Sequence, residues 1–119
     1  MCGRVIQLER GTPQNIIPAN TEATATSRAI RAEGFNAIAL YPEISDLTGD
    51  NWNLTIQGAS KFNGTYSDAY DVATLLSSGD ITASRVVILK GIPANLKIVA
   101  TKGGTDAGKI KVDYELLTI

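Results

Sequence analysis

Apolar and polar residues alternate at a period of two along much of this chain, most clearly between residues 81 and 119. Three alternating runs follow one another there, separated by breaks at 91–93 and 102–108 that contain glycine or proline. This spacing of β-branched and aromatic residues is typical of strands with one buried face, and such breaks are typical of turns. We therefore predict that the chain ends in an antiparallel β-meander. Its predicted core positions are Val86, Ile88, Leu96, Ile98, Ile110, Val112 and Tyr114.

The middle of the chain carries shorter runs of the same kind. They predict strands at residues 24–32, 35–40 and 52–57. Pro42 is expected to end the second of these, because proline cannot donate to a central ladder. In the third strand Trp52, Leu54 and Ile56 share one face, which makes it the cleanest amphipathic strand outside the C-terminal part.

Turn signals separate these runs. Asn63-Gly64 predicts a two-residue hairpin connection, since both central positions of a type I′ turn need a positive φ. Residues 45–51 are rich in Asx and glycine and predict another turn. Residues 71–78 fit either a short helix or an irregular strand. About seven or eight short strands with regular turns define an all-β chain, and we predict a single antiparallel β-sandwich of jelly-roll type.

The first 24 residues differ from the rest, since Pro13 and Pro18 fix φ, remove backbone donors and favour extended geometry. One interpretation is a first strand and loop of the domain itself. The other, which sets the predicted domain organisation, is an extended N-terminal arm at residues 1–24 that docks on a neighbouring copy, followed by the β-sandwich at 25–119. The predicted intersubunit contacts are Arg4, Val5, Ile6, Leu8, Arg10, Ile16 and Ile17.

Composition adds size and charge to this picture. A chain of 119 residues is one domain and is long enough to bury a core without disulfides or metals. The net charge is −1, but residues 1–32 carry +2, residues 33–80 carry −6 and residues 81–119 carry +3. A near-neutral total argues against nucleic acid as a partner. The segregation favours contacts between an acidic surface on one copy and a basic surface on another, in which Arg4 and Arg10 could meet Asp46 and Asp50.

Candidate chemistry is sparse. The chain has no histidine and one cysteine, Cys2, so an internal disulfide and the usual Cys/His zinc site are excluded. The carboxylates of Asp46 and Asp50, and those of Asp68 and Asp71, lie in turns, where they are expected to be solvated. The spacing of Asp46, Asp50 and Asn51 lacks the ligand pattern of a calcium loop. We predict no catalytic residue, no metal and no cofactor.

Four of the seven aromatic residues lie between residues 52 and 70. They are interpreted as core and rim residues around a hairpin, with Trp52 buried. The alternative is a carbohydrate-binding module in which Trp52, Tyr66 and Tyr70 form a sugar-stacking platform. That alternative requires Trp52 to be exposed.

The order of several motifs carries a resemblance. They are Trp52-Asn53-Leu54-Thr55-Ile56-Gln57-Gly58, Asn63-Gly64-Thr65-Tyr66, Gly91-Ile92-Pro93-Ala94-Asn95-Leu96-Lys97-Ile98-Val99-Ala100, and Gly104-Thr105 before a closing strand. Over residues 28–117 this succession resembles small structural proteins of tailed-bacteriophage virions. The resemblance implies a non-enzymatic subunit of the virion, a capsid decoration or cement protein that binds the shell in many copies, or alternatively a tail or connector ring subunit.

The partners implied by this resemblance are other copies of the chain and a major capsid protein. The chain begins without the charged-then-apolar pattern of a signal peptide, and it has no apolar run of about 18 residues. We therefore expect synthesis in the host cytoplasm, a place in the virion and no membrane partner.

Overall fold

Ten strands build two antiparallel sheets in the computed structural model, which describes residues 13–69 and 77–119. The strands are β1 (Gln14–Thr21), β2 (Ala25–Thr26), β3 (Ile30–Arg31), β4 (Ala37–Ser45), β5 (Trp52–Ala59), β6 (Ser67–Asp68), β7 (Ser77–Ile81), β8 (Val87–Lys90), β9 (Asn95–Lys102) and β10 (Lys109–Leu117). The chain is therefore all-β in its described part, as the period-two pattern predicted.

The strand order is that of a jelly roll. Sheet A has the order β1-β10-β4-β8, and sheet B is centred on β9 and β5. The short strands β2 and β3 share the outer side of β9, while β6 and β7 share the outer side of β5. When each such pair is counted as one position, the chain fills eight positions in the orders 1-8-3-6 and 2-7-4-5. This is the eight-strand, double Greek-key arrangement, and the predicted β-sandwich of jelly-roll type is confirmed.

The predicted C-terminal meander is wrong. Strands β8, β9 and β10 follow one another along the chain, but β8 and β10 each pair with β4 in sheet A, whereas β9 pairs with β5 in sheet B. Each connection at 91–94 and 103–108 therefore crosses from one sheet to the other. Period-two spacing reveals that a strand has a buried face, but it carries no information about which strand lies beside it.

The core lies between the two sheets and is built from the inward faces of the long strands. Trp52, Leu54 and Ile56 of β5 are fully buried, as predicted. The predicted inward positions of β9 and β10 are also buried, namely Leu96, Ile98, Ile110, Val112 and Tyr114. In β8 the prediction is offset by one residue, because Val87 is buried whereas Val86 and Ile88 are exposed. Apolar residues occupy all four positions from 86 to 89, so alternation could not fix the inward face there.

Residues 14–21 belong to the sandwich. Strand β1 pairs along its length with β10, and Ile16 and Ile17 lie in the same core cluster as Val112. The predicted boundary at residue 24 is therefore corrected, because the described part of the proposed arm is the edge strand of sheet A. Pro18 fits this position, since an edge strand has one side without a ladder.

Strand β4 continues through Pro42 to Ser45, beyond its predicted end. Pairing between β8 and β4 stops at Leu40, and the Pro42 carbonyl accepts a hydrogen bond from the Arg85 amide on that same side, at 3.3 Å. The nitrogen and carbonyl of one strand residue point to the same side. The proline nitrogen therefore faces away from β10, and no bond of the β4–β10 ladder is lost.

The hairpin predicted at Asn63-Gly64 exists, but with a different turn. Strands β5 and β6 pair antiparallel, and the connection contains a turn in which the Gly64 amide donates to the Lys61 carbonyl at 2.9 Å. Asn63 is therefore a central residue of that turn and Gly64 its last. Neither has a positive φ, so the type I′ expectation is wrong. Residues 71–76, where a helix or an irregular strand was predicted, lie outside the described residues, and Ser77–Ile81 is strand β7.

Candidate interaction site

Three cationic side chains lie over three aromatic rings around one cleft. The guanidinium of Arg31 is 3.9 Å from the centre of the Phe62 ring, and the Lys97 amine is 4.5 Å from that of Tyr66. The guanidinium of Arg28 is 6.0 Å from the centre of the Tyr114 ring. The cleft has a volume of about 550 Å³ and is lined by Arg28, Ala29, Phe62, Asn63, Gly64, Tyr66 and Lys97. We call this cleft, together with Arg31 in the adjoining hollow, the basic cleft.

A β-bulge places Arg28 in the basic cleft. Strands β2 and β3 both pair with β9, but residues 27–29 face only residues 97 and 98 between the paired positions. At this bulge Ser27 supplies the hydrogen-bond partners for the backbone of Ile98 in β9. Its amide donates to the Ile98 carbonyl at 2.8 Å, and its hydroxyl accepts from the Ile98 amide at 2.9 Å. Because an extra residue turns a side chain out of the regular alternation, Arg28 leaves the sheet and lies over Tyr114.

The connection between β5 and β6 supplies the opposite wall of the basic cleft. The Tyr66 hydroxyl donates to the Phe62 carbonyl at 2.7 Å, and the turn bond between Gly64 and Lys61 closes the same loop. Both rings are half-buried. The loop therefore holds its two rings against Arg31 and Lys97, which β3 and β9 position from the other side.

Within the described part of the chain, the cations of the basic cleft form no salt bridge with a carboxylate. The salt bridges within residues 13–69 and 77–119 involve Lys109 and Lys111, and none involves Arg28, Arg31 or Lys97. A guanidinium stacked on a ring keeps its in-plane N–H donors free, and these match the two oxygens of a carboxylate. Each such ring contact contributes about 0.5–1 kcal/mol at an exposed site, which orients a cation without neutralising it. The cleft is therefore suited to bind oxyanion groups.

Acidic side chains gather at the other end of the strands, on two loops that are bonded to each other. The Asp106 carbonyl accepts hydrogen bonds from the amides of Thr48, Gly49 and Asp50, at 2.9–3.4 Å. Asp50 in turn accepts the Asp106 amide through Oδ2 at 2.9 Å. The Asp46 side chain is 72% exposed and lies 3.7 Å from Lys109. We call Asp46, Asp50 and Asp106 the acidic loop pair.

Two surface pairs on sheet A shift the pKa of a titratable group. The Tyr41 hydroxyl donates to Glu115 at 2.8 Å, and this hydrogen bond to a carboxylate, aided by partial burial, raises the pKa of Tyr41. The hydrogen bond to Glu43, with Asp113 nearby, raises the pKa of Lys111. Both shifts keep groups in the protonation state that they hold in neutral water, so neither tunes an acid or base for chemistry.

The described residues among those predicted for function do not lie together in one site. Of the seven predicted intersubunit contacts, Ile16 and Ile17 are buried inside their own chain, and the other five lie outside the described residues. The sugar platform is not formed as predicted, because Trp52 is fully buried and its Nε1 donates to the Ala107 carbonyl at 3.0 Å. Tyr66 instead lines the basic cleft, and Tyr70 lies outside the described residues.

Sequence reasoning missed Arg28, Arg31, Phe62 and Lys97 as members of one site. A weak signal existed, since Arg28 and Arg31 are the charged residues of the strand predicted at 24–32, and both are cations. A comparison of the chain with protein-family models and with curated proteins gave no match. No helix in the described residues is long and apolar enough to cross a membrane, and no three of their acidic side chains lie close enough together to hold a metal ion.

Proposed function

We propose that this chain is a non-enzymatic structural subunit of a bacteriophage virion, a decoration protein that binds the capsid shell in many copies. The observation that carries the proposal is the jelly-roll topology, which occurs in viral capsid domains as well as in lectins and cupins. Fold alone does not define function, so the choice among these classes rests on the side chains.

The side chains favour a structural role. A cupin-like metal centre would lack histidine ligands, since the chain has none. Because the Trp52 ring is buried, it cannot form a lectin-like sugar platform. Instead, the described surface carries a basic cleft and an acidic loop pair at separate positions on the sandwich. Such surfaces serve contacts between proteins, and many copies on one shell allow modest individual contacts to add.

Binding to shells tests this proposal directly. Purified capsids of the source phage that lack the subunit are mixed with increasing amounts of the tagged chain and pelleted. We expect saturable binding with a fixed number of copies per shell, visible as regular surface density in electron micrographs. Binding to the tail or the portal vertex alone would favour the tail or connector alternative. No binding to any part of the particle would contradict a virion role.

Truncation tests the N-terminal contact hypothesis. Removing residues 2–12 deletes Arg4, Val5, Ile6, Leu8 and Arg10 but leaves β1 in place. We expect thermal unfolding within a few degrees of that of the full chain, while shell binding falls at least about tenfold, since the deleted side chains add to each copy's contact. Removing residues 2–20 is the matched comparison, and it should unfold the domain because Ile16 and Ile17 leave the core. Unchanged shell binding after removal of residues 2–12 would sink the hypothesis.

A further inference from the structure

We propose that the basic cleft binds the acidic loop pair of a second copy of this chain, so that copies associate end to side through complementary charges. The inference goes beyond shell binding, because it concerns a contact between copies that needs no shell. Its partner chemistry is defined by the cleft: a group of carboxylates presented on a rigid surface.

The basic cleft lies too far from the acidic loop pair of its own chain to be neutralised by it. Trp52 of β5 lies opposite Lys102 beside the acidic loop pair, while Gln57 lies opposite Lys97 in the cleft. Five strand residues therefore separate the two sites, which is about 17 Å. Charges that far apart are screened at physiological salt, where the Debye length is about 8 Å. Among the described residues, the cleft cations are therefore not neutralised by the acidic loop pair of their own chain, and the Asp46 carboxylate, although 3.7 Å from Lys109, is 72% exposed and accessible to a second copy.

Contacts within each site hold part of it in place before a partner binds. Cation–π contacts with Phe62 and Tyr66 orient Arg31 and Lys97, and the bulge at Ser27 holds the backbone that carries Arg28. The carbonyl of Asp106 and the carboxylate of Asp50 tie the two acidic loops together. Groups that are held before contact, such as Arg31, Lys97 and Asp50, lose little conformational entropy when they meet a partner.

The basic cleft favours a protein surface over a saccharide. Sugar-binding sites stack the sugar ring on an open aromatic face, whereas here cations lie over the faces of Phe62 and Tyr66. Because every copy carries both a basic cleft and an acidic loop pair at different positions along its 47 Å length, the contact is heterologous and extends to further copies.

Sedimentation velocity on charge variants of the full chain tests the inference. The cleft variant is Arg28→Glu with Arg31→Glu. The loop variant is Asp46→Asn with Asp106→Lys, which avoids Asp50 because its carboxylate holds the loops together. Arg85→Glu with Lys90→Glu changes net charge as much as the cleft variant does, at exposed positions outside both sites, and serves as the matched control. Circular dichroism checks that each variant is folded.

In about 20 mM salt the wild-type mass is expected to rise with concentration, and in about 500 mM salt it should return to that of the monomer. The cleft and loop variants should each associate at least about tenfold more weakly, and an equimolar mixture of the two should associate again, since each supplies the charge that the other lost. The control should behave like the wild type.

Three results would overturn the inference: a monomeric wild type at every concentration, equal loss in the control and cleft variants, or no recovery on mixing. Retention of a monomeric wild type on immobilised heparin, lost in the cleft variant alone, would also overturn it and assign the cleft to an anionic polysaccharide. Shell binding is measured separately, so failure of self-association and failure of the proposed function are distinguishable.

Discussion

Replacing Trp52 with alanine is expected to lower the free energy of unfolding by about 3–5 kcal/mol. Trp52 is the largest fully buried side chain, and it fills the core at the end where the loops 46–51 and 103–108 meet. Its removal leaves a cavity and also leaves the Ala107 carbonyl without the indole donor. The loss is a large fraction of the total stability of a small domain, which is about 5–15 kcal/mol. Urea denaturation followed by circular dichroism measures it, since the variant has no tryptophan.

Two comparison variants separate the parts of this effect. Trp52→Phe keeps most of the apolar volume and loses the hydrogen bond, so its cost should be about 1–2 kcal/mol. Thr101→Ala changes an exposed residue of β9 next to β5 and should stay within about 0.5 kcal/mol of the wild type. If Trp52→Ala were as mild as Thr101→Ala, the ring would be at the surface and the sugar platform would return as a serious alternative.

Replacing Gly108 with alanine is expected to destabilise the fold by about 2–5 kcal/mol. Gly108 has a φ of +74°, in the left-handed region that side chains disfavour. A Cβ there would also approach the backbone at Ser45, and it would come within 2.7 Å of the backbone of Asp46 and Leu47. Both effects act where the connection from β9 crosses to β10, so the acidic loop pair should be disturbed with them. Urea denaturation followed by Trp52 fluorescence reports on this same end of the core.

Gly34→Ala is the matched control for this prediction. Gly34 also has a positive φ, +91°, but a Cβ there would meet no atom within 4 Å. Its cost should be limited to the conformational strain, about 1–2 kcal/mol. Both changes restrict the unfolded chain equally, so that contribution cancels in the comparison. Equal losses in the two variants would contradict a close approach of the loops at Gly108.

Much of the fold was predictable from local patterns, and the errors have a common cause. Alternation identified β5, β9 and β10 and their buried faces, because a strand's side chains alternate whatever lies beside it. It failed at β8, where four consecutive apolar residues leave two possible inward faces. It also failed at residues 14–21, because a proline-containing edge strand and an extended arm have the same local signature.

The candidate site was less predictable than the fold. Its members come from the bulge between β2 and β3, the β5–β6 connection, β9 and β10, and they meet only after the sheets have formed. The opposite charges of the two sites were visible as segregation along the chain. The positions of the two sites along the strands were not visible in this way, because the acidic loop pair brings together residues that are more than fifty positions apart in the sequence.

Alternation and turn residues were enough to predict an all-β chain with a buried core, because both are local properties that do not depend on which strands lie side by side. The sheet that each strand joins, the side of β8 that faces the core and the cations that share a cleft became visible in the folded structure alone. Strand pairing joins residues that are distant in the chain, so the alternation within one strand does not specify which strand lies beside it.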